Sequence, residues 1–312
     1  MGILQDKVAI VTGGARGIGR SAALAFAREG ARLVINSRSE KEVSATVRHI
    51  LNLGGDAIGT PGDVSSEQFV DTMVAKAMSR WGTVDILVNS AGIVGPAKPI
   101  GWDETDFWRR TMDINLTGSY LAMHAVIPIM ARQKRGKIIN VSSPGSLNYR
   151  GSLSAYAISK AAMVRLTTMA AFQTARYHID VNAIDVIGDT ALTREISRRQ
   201  QEDAIHAEWW RLRLERGHIP GPEVNDEMML WLASPDSDGF TGRYVGWGMD
   251  LDDIKANKDK IIASPDALRA TLSKPAYIRE TDDVKKYRAN SSQVLAQVES
   301  DVAPFQPPQN DA

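Results

Sequence analysis

The chain has 312 residues, a formal net charge of zero from 37 basic and 37 acidic side chains, and no cysteine. That length accommodates one large α/β domain or two small ones, and the charge balance supplies no field that recruits nucleic acid or an anionic membrane. The lack of cysteine excludes disulfides, thiolate metal sites and a cysteine nucleophile.

The N-terminal segment Met1-Gly2-Ile3-Leu4-Gln5-Asp6-Lys7 has no signal-peptide pattern and runs straight into a strand-like segment. No stretch approaches the ~20 apolar residues of a membrane span. The expectation is a soluble, cytoplasmic protein without a membrane or nucleic-acid partner and without a metal.

In chain order, short β-type runs alternate with helical patterns. The runs are Val8–Thr12, Leu33–Asn36, Asp56–Thr60, Ile86–Asn89, Lys137–Val141, Val181–Val186 and Tyr244–Gly246. The helical segments are Gly19–Arg28, Glu40–Leu53, Ser66–Trp81, Thr105–Arg132, Ala155–Tyr177 and Glu223–Leu232. Several runs are apolar almost throughout, as strands covered by helices on both faces must be. The alternation predicts right-handed βαβ crossovers and a doubly wound, mostly parallel sheet over residues 1–250.

Residues 189–218 break the rhythm as a helical insertion rich in arginine. Its carboxylates lie often three or four residues from an arginine, so a solvated face of weak ion pairs is favoured over an anion site. Within it Trp209 and Trp210 are adjacent and point in different directions; core packing is favoured for both, with one open to lining a pocket. Beyond Leu251, Thr281-Asp282-Asp283 has the form of a helix start, followed by apolar residues at helical spacing. Residues 251–303 are therefore expected to pack on the domain or on a neighbouring subunit, and the proline-rich 304–312 to be disordered.

The first turn reads Thr12-Gly13-Gly14-Ala15-Arg16-Gly17-Ile18-Gly19, between an apolar strand and an amphipathic helix. Glycines there permit a tight turn and let backbone N–H groups and the helix N-terminus approach a pyrophosphate. About 20 residues further on, where an NAD site places a carboxylate on the ribose, the chain reads Asn36-Ser37-Arg38. Arg38, with Arg16 from the glycine loop, is suited to a 2′-phosphate that an aspartate would repel, so NADP(H) is expected over NAD(H).

Tyr156 and Lys160 lie one helical turn apart, so their side chains share a face. A cation ~4 Å from a phenolate, at an effective dielectric near ~20, contributes at most ~4 kcal/mol, enough to bring a tyrosine into the range of acid–base catalysis. Alone, such a pair is usually an ordinary helical contact; the glycine loop upstream and Ser143 between them give it weight.

With these residues in place, the chain resembles the short-chain dehydrogenase/reductase family in its compact single-domain form, over about residues 5–250. T-G-x-x-x-G-x-G is met by Thr12 to Gly19, Asp63-Val64 matches a family adenine contact, and Asn89-Ser90-Ala91-Gly92 stands where the family has N-N-A-G. The resemblance implies a Rossmann-type fold and a tetrad of Asn115, Ser143, Tyr156 and Lys160. Ser142 competes with Ser143, which is preferred for its spacing to the tyrosine. Tyr156 would be the general acid or base and Ser143 the holder of the substrate oxygen. Lys160 would lower the tyrosine pKa and bind the nicotinamide ribose, and Asn115 would hold a water. The cofactor residues implied are Gly13, Arg16, Gly17, Ile18, Gly19, Ser37, Arg38, Asp63, Val64, Asn89, Ala91, Gly92, Tyr156, Lys160 and Thr190.

Two departures stand out. The family's Pro-Gly after the sixth strand is absent from Val186-Ile187-Gly188-Asp189-Thr190, and the usual short ending is replaced by some sixty residues. The expected substrate pocket is formed by residues 93–102, 145–153 and 189–218, with Gly95, Pro96, Ser146, Leu147, Asn148, Tyr149, Met163 and Trp209 as lining candidates. The reading that follows is an NADP(H)-dependent carbonyl reductase or alcohol dehydrogenase, a homo-oligomer (tetramer or dimer) through the helices near 105–132 and 155–177. A non-catalytic nucleotide sensor is the alternative, and an epimerase or dehydratase a more distant one.

Overall fold

The computed structural model describes residues 2–146, 152–199, 211–264 and 266–268. Seven strands carry the sheet: β1 Val8–Thr12, β2 Arg32–Ser37, β3 Asp56–Pro61, β4 Ile86–Asn89, β5 Gly136–Val141, β6 Ile179–Asp185 and β7 Tyr244–Gly246. Every neighbouring pair is parallel, in the order β3-β2-β1-β4-β5-β6-β7. The expected doubly wound sheet is therefore the observed one. Its order reverses between β1 and β4, the switch point where ligands bind open α/β sheets.

β1 shows why these runs form interior strands. Val8 and Ile10 face one helical layer and Ala9 and Val11 the other, all four fully buried. One layer holds α1 (Gly17–Arg28), α2 (Glu40–Asn52) and α8 (Asp226–Ala233); the other holds α3 (Glu67–Trp81), α5 (Gly118–Gln133) and α6 (Ser154–Thr174). Ser39 and Ser66 cap α2 and α3 with side-chain hydrogen bonds, which fixes where those helices start.

The single helix expected from 105 to 132 is interrupted. It runs as α4 (Thr105–Met112), a π-helical turn over Asp113–Thr117, and α5. Within Thr105–Gln133 one 18-residue window reaches a mean hydropathy of 1.3, enough by length and composition alone to cross a bilayer, and half of that window is buried inside the domain. The α5 part of this run lays Ala122, Met123, Val126 and Met130 against the sheet.

After β7 the chain forms α9 (Leu251–Ala256) and α10 (Lys258–Ala263) and returns to the sheet edge. The amide of Tyr244 donates to Leu268 O at 2.7 Å. The buried Arg243 gathers the carbonyls of Ser264 at 3.0 Å, Ala267 at 2.5 Å and Ile262 at 3.2 Å. These described residues of the C-terminal segment cover an edge strand that would otherwise expose unpaired backbone groups. The apolar stripe beyond 281 and the terminal 304–312 lie outside the described residues, as do Trp209 and Trp210.

α7 (Ala191–Arg199) opens the 189–218 insertion. Among the described residues Arg194 pairs with Asp189 at 2.7 Å and Arg211 with Glu215 at 2.7 Å, both on exposed surface as expected, whereas Arg213 is fully buried and departs from the expected solvated face.

Candidate active site

The turns that leave the C-terminal ends of β1 to β6 line one cleft at the switch point. Its walls include Gly13, Arg16, Gly17 and Ile18 after β1, Ser37 and Arg38 after β2, and Asp63 and Val64 after β3. Ala91 and Gly92 follow β4, Ser142 follows β5, Thr190 follows β6, and Tyr156 and Lys160 close the far end. Asn89, Gly19, Asn115 and Ser143 are not among the lining residues.

The glycine loop is shaped by contacts that no other residue tolerates. Gly13 has φ of 65°, and a Cβ there would lie 2.8 Å from the Ala91 amide nitrogen. Thr12 Oγ1 accepts from the amides of Ser90 (3.2 Å) and Ala91 (3.3 Å), tying the loop to the β4 turn. A Cβ on Gly19 would meet Gly13 O at 2.6 Å, so Gly19 lets helix and loop touch rather than lining the cleft. The N-terminus of α1 has no side-chain cap and no acidic residue in its first turn. Its free N–H groups and helix dipole face a concave site and fit an anionic phosphate. The residues present therefore fit a dinucleotide.

At the other end of this half, Asn36 donates to Thr60 O (2.9 Å) and Gly62 O (3.2 Å), while its Oδ1 is buried without a partner. Sequence reasoning passed over Asn36; a polar residue ending an otherwise apolar strand was the available signal. Arg16 and Arg38 are exposed and line the cleft, and neither forms an ion pair among the described residues. Asp63 accepts from the Ser65 amide at 3.0 Å and the Ser65 hydroxyl at 2.8 Å, and pairs with Arg110 of α4. These hydrogen bonds and the Arg110 charge outweigh partial burial and hold its carboxyl below the usual range.

In the other half α6 delivers Tyr156 and Lys160 to the cleft, both more than nine-tenths buried. Ser143 stands near enough to the Tyr156 phenol to draw its pKa down, and its hydroxyl accepts from the Gly145 amide at 3.2 Å. Ser142 is committed elsewhere, its hydroxyl donating to Lys160 O at 3.3 Å. Lys160 Nζ donates to Val141 O at 2.8 Å and lies 5.8 Å from the centroid of the Tyr156 ring.

The expected lowering of the tyrosine pKa by lysine is not what this arrangement produces. Burial pushes the Tyr156 phenol up, Ser143 pulls it down, and the charge of Asp185 pushes it up again. Burial also lowers the Lys160 ammonium, from 10.5 to about 8.

Asn115 sits in the π turn, a common device at functional sites. Its Nδ2 donates to Ile93 O (3.0 Å) and to Ser159 Oγ (3.0 Å), and its Oδ1 accepts from the Ile93 amide (2.8 Å). The side chain thus joins the β4 turn to α6, and both Asn115 Oδ1 and Lys160 Nζ lie close to Gly92, at 3.3 Å and 3.7 Å from where a Cβ would stand. Asn89 is buried and bonded to Asn140 Oδ1 at 2.9 Å, bridging β4 and β5.

The segment lacking Pro-Gly is secured by other means. Asn225 accepts from the Ile187 amide (3.2 Å) and donates to Ile187 O (2.7 Å), and the Asp189 amide donates to Pro220 O (2.7 Å). Thr190 is thereby brought against Gly17, where its methyl carbon would lie 3.4 Å from an added Cβ. Sequence reasoning missed Asn225, because its partner lies far upstream in the chain.

Among the expected substrate-pocket residues, Met163, Gly95 and Pro96 are buried in packing instead, and Ser146 is buried against Tyr244. Leu147, Asn148, Tyr149 and Trp209 lie outside the described residues. Val94, Ala97, Leu153, Leu192 and Ile196 pack around Tyr156 as an apolar wall.

Comparison with known proteins gives a consistent result. A family model described as short chain dehydrogenase matches residues 7–201. The 3-oxoacyl-[acyl-carrier-protein] reductase FabG of Thermotoga maritima is 31% identical over 244 residues, covering 78% of this chain and 96% of the relative. The (2S)-[(R)-hydroxy(phenyl)methyl]succinyl-CoA dehydrogenase subunit BbsD of Thauera aromatica is 33% identical over 254 residues, covering 80% and 99%.

Among solved structures, levodione reductase has a TM-score of 0.72 at 27% identity, with 78% of this chain and 96% of that one covered. NAD+-bound xylitol dehydrogenase has a TM-score of 0.72 at 26% identity, covering 78% and 98%. The chain belongs to the short-chain dehydrogenases, oxidoreductases of carbonyl and alcohol groups that use a nicotinamide cofactor.

Proposed function

We propose that this protein interconverts a small-molecule ketone or aldehyde and the corresponding alcohol with NADP(H), using Tyr156 as general acid and base. The observation that carries the proposal is that Tyr156 and Lys160 line the far end of a cleft, with Ser143 acting on the Tyr156 phenol from just behind the lining, while the other end is an uncapped, glycine-lined helix N-terminus. A bound nicotinamide supplies or accepts the hydride.

The chain's own residues do the rest. Ser143 orients the substrate oxygen beside the Tyr156 hydroxyl, which gives its proton in reduction and takes one in oxidation. Lys160, at the base of the cleft, holds a positive charge where negative charge develops and can donate to a ribose hydroxyl. The apolar wall of Val94, Ala97, Leu192 and Ile196 favours a substrate with an apolar body next to its carbonyl.

NADP(H) is favoured over NAD(H) by Arg16 and Arg38, two cations without a carboxylate partner among the described residues at the strand end where an acidic side chain would mark NAD. A homo-oligomer belongs to the same reading. Tyr120 on α5 and Ile158, Met169 and Phe172 on α6 are large apolar side chains left exposed, Phe172 at 84%.

The test is Tyr156→Phe. NADPH binding, followed by fluorescence, is expected to be preserved, while NADPH oxidation with a panel of ketones falls by about 10²-fold or more. Turnover surviving in the phenylalanine variant removes the tyrosine from the chemistry. A wild-type protein that binds NADPH but reduces nothing in the panel favours the sensor alternative.

A further inference from the structure

Behind Ser143 lies a second tyrosine. Tyr244 opens β7, is 5% exposed, and directs its hydroxyl under the Ser143–Ser146 turn. The hydroxyl is 3.3 Å from Ser146 Oγ and 3.5 Å from Ser143 O, and the register of β6 with β7 puts it on the same sheet face as Asp185 at the end of β6, with which it interacts electrostatically. Asp185 Oδ1 is buried without a partner. The groups facing this carboxyl are Tyr244 from β7 and, more distantly, Tyr156 from α6; no lysine or arginine among the described residues acts on it.

We infer that Tyr244 and Asp185 are positioning residues for Ser143, with the single phenolic proton of Tyr244 pointing either to the Ser143 carbonyl or to the Asp185 carboxyl. The inference rests on the proposed function in assigning Ser143 to the substrate oxygen. The reasoning is one of donors and acceptors. A phenol has one proton to give. An ionised Asp185 only accepts, so it claims that proton and leaves Ser143 O with its bond from the Ser146 amide at 2.8 Å. A protonated Asp185 donates to the phenol oxygen, which frees the Tyr244 proton for Ser143 O and tightens the turn.

Both states are accessible near neutrality. Burial pushes the Asp185 carboxyl up to about 7, while burial pushes the Tyr244 phenol upward, so Tyr244 stays protonated throughout. Tyr244 is itself fixed from outside, because its amide is bonded to Leu268 O at 2.7 Å. The C-terminal segment up to that residue therefore helps set the height of Tyr244 under the serine turn.

The experiment compares wild-type, Tyr244→Phe and Asp185→Asn proteins over pH 5.5 to 9 (a window spanning ~1.5–2 units either side of the Asp185 midpoint). It follows kcat, the KM for NADPH and NMR amide exchange at Gly145 and Ser146. In the wild type, kcat is expected to step down as pH rises through about 7. Tyr244→Phe keeps the ring but lacks the proton: kcat falls about tenfold, the KM for NADPH stays within about twofold, and exchange at Ser146 rises about tenfold. Asp185→Asn cannot ionise, so the step disappears.

Unchanged exchange together with kcat within about twofold in Tyr244→Phe overturns the inference, and so does a step through about 7 that survives in Asp185→Asn beside the separate fall near 8 that Lys160 itself produces. If no protein in the series turns over, the proposed function fails. The exchange data at Gly145 and Ser146 then decide the positioning claim alone.

Discussion

Replacing Lys160 by methionine separates a functional lysine from a structural one, because the two roles predict opposite signs in stability. The ammonium is 4% exposed and its pKa is lowered from 10.5 to about 8 by burial. In the unfolded chain it ionises at the ordinary value. Between those two values the unfolded state holds more protons than the folded one, so stability rises with pH from about 8 to about 10.5. Below about 8 the whole cost of the buried charge is present, about 3 kcal/mol at ~1.36 kcal/mol per unit. Methionine fills similar volume without that cost. The substitution also removes the donor to Val141 O, and an orphaned buried carbonyl costs about 1–3 kcal/mol.

The balance at pH 7 is a Lys160→Met protein that is as stable as the wild type or up to about 2 kcal/mol more stable, yet inactive. Urea denaturation at pH 7 and pH 10 measures it. The advantage of the variant should shrink as pH rises, because the wild type sheds its buried charge. A variant less stable than the wild type by more than about 1 kcal/mol at pH 7, or a difference that does not change with pH, refutes the reasoning.

Two further outcomes test the cofactor half of the cleft. Arg38→Asp should weaken NADPH by about tenfold or more while leaving NADH unchanged or improved, since a charge-assisted contact is replaced by repulsion. Equal affinity of the wild type for both cofactors, with neither altered by the substitution, rules out the 2′-phosphate assignment. Gly13→Ala forces a Cβ onto the Ala91 backbone at a φ of 65°. It should cost about 2 kcal/mol or more in urea denaturation and abolish nucleotide binding in a fluorescence titration. Wild-type stability with intact binding would show that the loop adjusts freely.

The order and type of the regular elements were legible because most β runs are apolar almost throughout and some helices carry a capping residue at their start, as Ser39 and Ser66 do. The glycine loop was legible too, since its spacing directly encodes the backbone shape that leads into α1. Both are local properties of contiguous residues. The π turn that carries Asn115 was not visible, because a one-residue change in helical register leaves the apolar pattern almost intact.

The division of labour between Ser142 and Ser143 was decided by packing. Both hydroxyls are available in sequence, and only the fold spends one on Lys160 O and turns the other to Tyr156. The same holds for Asp185 and Tyr244, 59 positions apart and brought together by the pairing of β6 with β7. The sequence determined the fold, the glycine loop and the candidate tyrosine–lysine pair of the proposed site, since periodicity and short spacings carry those. Tertiary structure alone decided which polar groups are buried, which are already bonded and which sign each pKa shift takes, because desolvation and hydrogen bonding depend on neighbours that no local pattern specifies.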